Sequence, residues 1–222
     1  ARQVDRVAAA AEAAGRAADD VTLAVATKSV DVARTLETVA AGARVLCESR
    51  VQEIVAKAPA LEALDAPPQV HLIGRLQSNK INAALRHVTC VETVHTTSLA
   101  AALGARCVRD GRTLDVLVQV NVSGEPQKSG VSPDEALDLA LAVAATDGLR
   151  LRGLMTIGAH SPVEAVVRAG YARLRTLRDD VLAAGVVSAT ELSMGMSGDL
   201  EWAVAEGATI VRVGTAIVGP RG

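Results

Sequence analysis

Short apolar runs alternate with longer amphipathic stretches along the whole chain. The first strand is predicted over 21–26, followed by a helix over 32–41 that Gly42 ends. A short strand over 44–46 precedes a helix over 51–64, closed by the Pro67-Pro68 break. Strands are predicted over 70–73 and 88–91, each followed by a helix, over 79–85 and 98–109, with Ser98 as the second helix's N-cap. The run over 114–121 is the strongest strand. The helix over 133–145 has Ser132 as cap and Pro133 in its first position. The alternation continues with a strand over 151–155, a helix over 163–184 ended by Gly185, and a strand over 191–193. A helix over 199–206 stopped by Gly207 and a last strand over 210–213 complete it.

Continuous apolar strands separated by helices predict a parallel sheet covered by helices, an α/β fold. Eight such units favour a closed (β/α)8, TIM-like barrel over an open doubly wound sheet. The 222 residues suit one domain over 1–222, close to the lower limit of roughly 200 residues for such a barrel. The segment 1–18 alternates alanine with charges and predicts an amphipathic helix, 2–18, outside the barrel, where it would plug the bottom.

Composition narrows the partners. Aromatics are 1% of residues and Phe is absent, so the core must be Ala, Val, Leu and Ile. A net charge of -2 and no aromatic platforms argue against nucleic acid. The apolar runs are strand-sized, far short of the roughly 20 residues that cross a bilayer. No compact apolar stretch marks a signal peptide at the start. Cys47, Cys90 and Cys107 are odd in number and lack metal-ligand spacing, as expected of reduced thiols in a cytoplasmic protein.

Functional groups of such barrels gather at the C-terminal ends of the strands. Lys28 ends the first strand. Partly desolvated at the barrel mouth, its amine would be more easily neutral and could join an aldehyde as a Schiff base. The alternative is a lysine that snorkels to solvent. After the seventh strand, Ser193-Met194-Gly195-Met196-Ser197-Gly198 offers small residues, a hydroxyl and a following helix N-terminus to an anion. Gly214 and Thr215, after the eighth strand, offer a second donor set, and these two loops are the usual phosphate site of the barrel class. Both could equally be ordinary tight turns. Arg212 stays protonated and, beside a pyridine nitrogen, would keep that nitrogen unprotonated. Its alternative is an ion pair with a neighbour such as Glu191.

Other polar residues fall on the same rim: Glu48, Ser49, Arg50 and Gln52; His71, Gly74, Gln77, Asn79 and Lys80; Met155 and Thr156. Asn121, Ser123 and Lys128 lie in a polar loop over 120–130 that could act as a lid. No Ser-His-Asp order, zinc spacing or GxGxxG appears, and the four histidines are scattered, so no metal site is expected.

Seven segments carry a resemblance: VATKSV at 25–30, RVQE at 50–53, HLIGRLQSNK at 71–80, VNVSGEPQKSG at 120–130, GLMTIG at 153–158, LSMGMSGDLEWAV at 192–204 and VRVGTAIVGPR at 211–221. In this order the chain resembles the YggS/PROSC family of pyridoxal phosphate-binding proteins, also called PLP homeostasis proteins. The resemblance implies a barrel like the N-terminal domain of alanine racemase (PLP fold type III). It implies pyridoxal 5'-phosphate held as an internal aldimine on Lys28. Ser197, Gly214 and Thr215 match its phosphate-binding positions, Arg212 the arginine facing the pyridine nitrogen, and Met155 a side chain near the cofactor. Cys47-Glu48-Ser49 departs from the family Gly-Glu-Asn, so Ser49 would replace an asparagine contact by a shorter or water-mediated one.

The function implied is participation in intracellular vitamin B6 balance without established catalysis. The expected partners are apo forms of PLP-dependent enzymes, and a monomer is expected. Racemases of this fold type use a second domain for the opposite base, and the barrel here takes up the whole chain. Two alternatives stay open. One is a PLP-dependent enzyme, a weak amino-acid racemase or lyase. The other is a cofactor-free aldolase, which would need a proton-shuttling carboxylate or second lysine deep in the barrel; no barrel-facing acid is evident from the pattern.

Overall fold

The structure is a computed structural model that describes residues 2–219. Thus Pro220 and Arg221, at the end of the matched segment 211–221, lie outside the described residues. The chain runs α1 (Arg2–Ala13), β1 (Thr22–Ala26), α2 (Val32–Ala40), β2 (Val45–Glu48), α3 (Val51–Glu62), β3 (Gln69–Leu72), α4 (Ile81–Leu85) and β4 (Cys90–Val94). It continues α5 (Thr97–Arg109), β5 (Leu114–Gln119), α6 (Ala136–Ala144), β6 (Leu149–Met155), α7 (Glu164–Ala183), β7 (Glu191–Ser193), α8 (Leu200–Ala205), β8 (Ile210–Val213) and α9 (Thr215–Val218). The eight strands are parallel and close in sequence order into a barrel, β1 pairing with β8. The α/β barrel expected from the pattern is therefore observed. Among the described residues no helix is long and apolar enough to cross a membrane.

Strand alternation divides the core in two. Strand residues such as Leu46, Leu72, Leu154 and Leu192 face the helices and, with helix residues such as Leu103, form one large cluster. The interior holds two smaller clusters, Ala24, Ala26, Val45, Cys47 and Ile210 on one side and Cys90, Leu117 and Met155 on the other. Between them stand polar side chains, described below. At the N-terminal end the interior opens into a polar well of about 590 Å³. Its wall carries the ion pairs Arg150–Asp115 and Arg152–Glu191.

Several boundaries differ from expectation for local reasons. The first helix stops at Ala13, because Gly15 takes φ 69° and turns the chain. It packs on α8 and leaves the bottom unplugged; none of its residues lines the polar well. The cap of α5 is Thr96, whose Oγ1 accepts from the Leu99 amide at 3.2 Å, and Ser98 lies inside the helix. Ser132 makes no cap bond, and a 3-10 turn over Pro133–Glu135 precedes α6. Both β2 and β4 extend beyond their apolar runs, to Glu48 and Val94. The short helix α9 was not expected.

Gly153 is the tightest point of the sheet. It has φ 152°, and a Cβ there would sit 2.0 Å from the Glu191 carbonyl oxygen. Because that neighbour is backbone of a paired strand, it cannot swing away. Gly153→Ala should therefore destabilise the protein by about 3 kcal/mol, read as a lower urea midpoint in equilibrium unfolding.

Candidate functional site

β1 and β8 are hydrogen-bonded neighbours, with Ala24 opposite Arg212. Ala24 and Ala26 belong to the interior cluster, and Lys28 continues their phase two residues later, in a turn. Here Lys28 shares a cleft of about 50 Å³ with Ala26, Gly214 and Thr215. The structure thus brings together three of the residues singled out from sequence. Lys28 is exposed, so the partly desolvated setting expected for it is not observed. The chain leaves the strand before residue 28, and small neighbours, Ala26 and Gly214, leave the cleft wall low.

The base of this turn is held by a buried cluster on the outer face of the sheet. Thr27 Oγ1 donates to Glu48 Oε1 at 2.6 Å. Lys57 Nζ, from α3, donates to the same oxygen at 2.6 Å and to the Thr27 carbonyl at 2.7 Å. All three residues are buried. Burial pushes the Glu48 carboxyl above its usual range, against the hydrogen bonds from Lys57 and Thr27. Glu48, noted from sequence as a rim residue, therefore points away from the mouth and braces the backbone beside Lys28.

The loop after β7 is braced from two sides. Asp199 Oδ1 accepts from the Met196 amide at 2.6 Å, and its Oδ2 accepts from the Tyr171 hydroxyl at 2.8 Å. Burial and the Asp199 charge push the Tyr171 hydroxyl far above its ordinary pKa, so it stays a donor. Both Nη atoms of Arg6, on α1, donate to the Ser197 carbonyl at 3.2 Å, and Nε donates to Glu201 at 2.9 Å. α1, which sequence placed outside the barrel, thus reaches the loop that carries Ser197. Gly195, at φ 89°, passes so close to α8 that a Cβ would meet Ala203 Cβ at 2.4 Å.

Arg212 is buried and points into the barrel. Its Nη1 donates to Ser193 Oγ at 2.6 Å and its Nη2 to the Thr156 carbonyl at 2.7 Å. Its acidic neighbour is Glu92, 3.9 Å away, and not Glu191, which pairs with Arg152. Glu92 accepts from Ser193 Oγ at 2.6 Å and lies 2.7 Å from His71 Nδ1. A polar chain, His71–Glu92–Ser193–Arg212, therefore crosses the barrel. Burial would raise the Glu92 carboxyl, but His71, Arg212 and Ser193 together hold it below the usual carboxylate range. The expectation that no acid faces the interior is corrected by Glu92. It fell past the end of the expected fourth strand. Inward alternation with Cys90 was the signal that could have found it.

The remaining candidates are dispersed. Ser49, half-buried after β2, does not line the Lys28 cleft; the Gly74 backbone presses on its carbonyl, where a Cβ would come within 1.9 Å. Met155 is buried in the interior against Cys90 and Leu117, opposite Ser193 in register. His71 lies inside the barrel, not at its mouth. The loop over 120–130 is tied down: Gln119 Nε2 donates to the Ser129 carbonyl at 3.0 Å, and Lys128 Nζ to the Gly158 carbonyl at 2.8 Å. These bonds argue against a free lid.

The profile of the family described as alanine racemase, N-terminal domain, matches residues 3–222. A pyridoxal phosphate homeostasis protein of Pseudomonas aeruginosa is 41% identical over 216 residues, 97% of this chain and 91% of its own length. A crystal structure of an unknown protein from Bifidobacterium adolescentis superposes with TM-score 0.92 at 45% identity, covering 97% of this chain and 91% of that one. PipY of Synechococcus elongatus, solved with PLP bound, superposes with TM-score 0.83 at 33% identity, covering 96% of this chain and 100% of that one.

The polar chain makes stability pH-dependent. Because the Glu92 carboxyl is held below the usual 4.5, it contributes stability above that pH that is lost as pH falls through its lower folded value. Glu92→Gln leaves Arg212 without its buried counter-charge and should cost about 3 kcal/mol near neutrality. It should also flatten the acid limb below pH 4.5, as read from urea midpoints across pH.

Proposed function

The chain belongs to the alanine racemase N-terminal domain family, and from that premise we propose that it binds pyridoxal 5'-phosphate at the β1–β8 mouth and serves to hold it. The donor set at the mouth fits that cofactor. It offers an amine for the aldehyde, hydroxyl and small-residue backbone donors for the phosphate, and a fixed guanidinium for the ring nitrogen. When bound, the cofactor supplies an aldehyde that an amine can capture and a ring that can delocalise electrons.

Lys28 would hold it covalently through Nζ. Ser197, Gly214 and Thr215 would receive the phosphate. The chain turns at Gly214 into α9, whose opening N–H groups have no partner within the helix. Ser49 and Met155 would flank the ring, with the serine in place of an asparagine making a shorter or water-mediated contact.

The observation that carries the holding role is Arg212. Anchored by Ser193 and Thr156, its guanidinium is a permanent cation and cannot give up a proton to the ring. A ring nitrogen facing it stays unprotonated, which weakens the ring as an electron sink for carbanion chemistry. The relative from Pseudomonas aeruginosa carries the name of a homeostasis protein, which supports the same role. On this account the protein limits free aldehyde and passes the cofactor to apo-enzymes inside the cell. It works as a monomer, in the cytoplasm, without turnover of its own.

Titration with pyridoxal phosphate should turn the wild-type protein yellow, and Lys28→Ala should abolish the band while keeping weaker, phosphate-anchored binding. An unchanged band in Lys28→Ala would overturn the assignment. Arg212→Ala should weaken binding about ten-fold, near 1.4 kcal/mol, and shift the band. Steady turnover of an amino acid by the loaded protein, lost in Lys28→Ala, would replace the holding role by an enzyme of the racemase or lyase type.

A further inference from the structure

The residues on either side of Lys28 are gripped by carboxylates of one unit, β2–α3. On the N-terminal side, the Glu48–Lys57 pair holds both the hydroxyl and the carbonyl of Thr27. On the C-terminal side, the Ser29 amide donates to Glu53 Oε2 at 2.7 Å. Ser29 is also the one non-glycine residue with positive φ among the described residues, at 62°. An L-residue visits that region only when its surroundings over-determine it, and such positions cluster at functional sites. Here the turn is closed by the Val30 amide on the Thr27 carbonyl at 3.1 Å, and Asp31 then caps α2 through the Arg34 amide at 2.8 Å. The backbone is fixed on both flanks of Lys28, yet its side chain stays exposed and borders Gly214 and Thr215.

We propose that Glu53 is a positioning residue for Lys28: by holding the Ser29 amide it keeps the left-handed turn from which the Lys28 amine faces the Gly214–Thr215 side of the cleft. This rests on the cofactor assignment above. Without the tether Ser29 relaxes to an ordinary backbone conformation. The amine then samples directions away from the cleft, and capture of an aldehyde slows although every cofactor contact is still encoded. Glu53 suits the test because it stands in the first turn of α3 and is partly exposed. The buried Glu48 and Lys57 would leave an unpaired charge if cut. A glutamine at 53 keeps a side-chain oxygen that can accept from the Ser29 amide, whereas alanine does not.

The experiment is borohydride trapping. Condensation joins Lys28 Nζ to the aldehyde carbon with loss of one water. Borohydride then adds hydride to the carbon of the C=N bond, and a solvent proton goes to nitrogen. The rate of label appearance on the Lys28 peptide is followed by mass spectrometry for wild type, Glu53→Ala and Glu53→Gln at equal pyridoxal phosphate. Amide exchange of the peptide spanning 27–31 is measured without cofactor. Glu53→Ala should melt near the wild-type temperature, label Lys28 at least ten-fold more slowly, and exchange the Ser29 amide faster. Glu53→Gln should restore both. A wild-type rate in Glu53→Ala, or an equal loss in Glu53→Gln, would overturn the tether, the second outcome assigning the effect to charge alone. No label on Lys28 in the wild-type protein would overturn the cofactor assignment, and this inference with it.

Discussion

Everything at the mouth depends on closure of the barrel between β1 and β8. Those strands come from opposite ends of the sequence, and their pairing sets Ala24 beside Arg212 and, higher up, Lys28 near Gly214 and Thr215. A sheet left open at this seam would keep the same residues far apart. Small residues line much of this seam, Ala24 and Ala26 on β1 and Gly214 just after β8. The same small residues leave room at the top, which is why a cleft lies there rather than a packed layer.

The interior opposes apolar packing to buried charge. An arginine and a glutamate inside a barrel with little aromatic bulk are costly to desolvate unless each is bonded. Ser193 bridges them, His71 completes the Glu92 side, and the Thr156 carbonyl completes the Arg212 side. This network fixes the guanidinium in place inside the barrel. It explains how a permanent cation can be buried in the sheet without an ideal ion pair. A second buried charge cluster, Lys57–Glu48, does comparable work outside the sheet, under Thr27.

Strand order and the eightfold alternation were legible because buried parallel strands read as continuous apolar runs, stopped by glycine or proline. Lys28, Gly214 and Thr215 were legible for the same reason: their strand ends are sharp. Boundaries failed where an inward or braced polar residue broke the run, as Glu48 does in β2 and Glu92 in β4. The first helix was drawn too long because alanine propensity carries on through Gly15, whose positive φ ends it. The exposure of Lys28 and the reach of Arg6 to Ser197 depend on contacts between distant segments, for which local pattern holds no signal. Glu53 beside Ser29 is of the same kind, a bond across the β1–β2 connection.

The most direct measurement is a crystal structure of the wild-type chain grown with pyridoxal phosphate. The account predicts continuous density from Lys28 Nζ to the cofactor, the phosphate on Ser197, Gly214 and Thr215, and Arg212 against the ring nitrogen. Density for the cofactor elsewhere on the molecule, or at the mouth with Arg212 turned away from the ring, would contradict it.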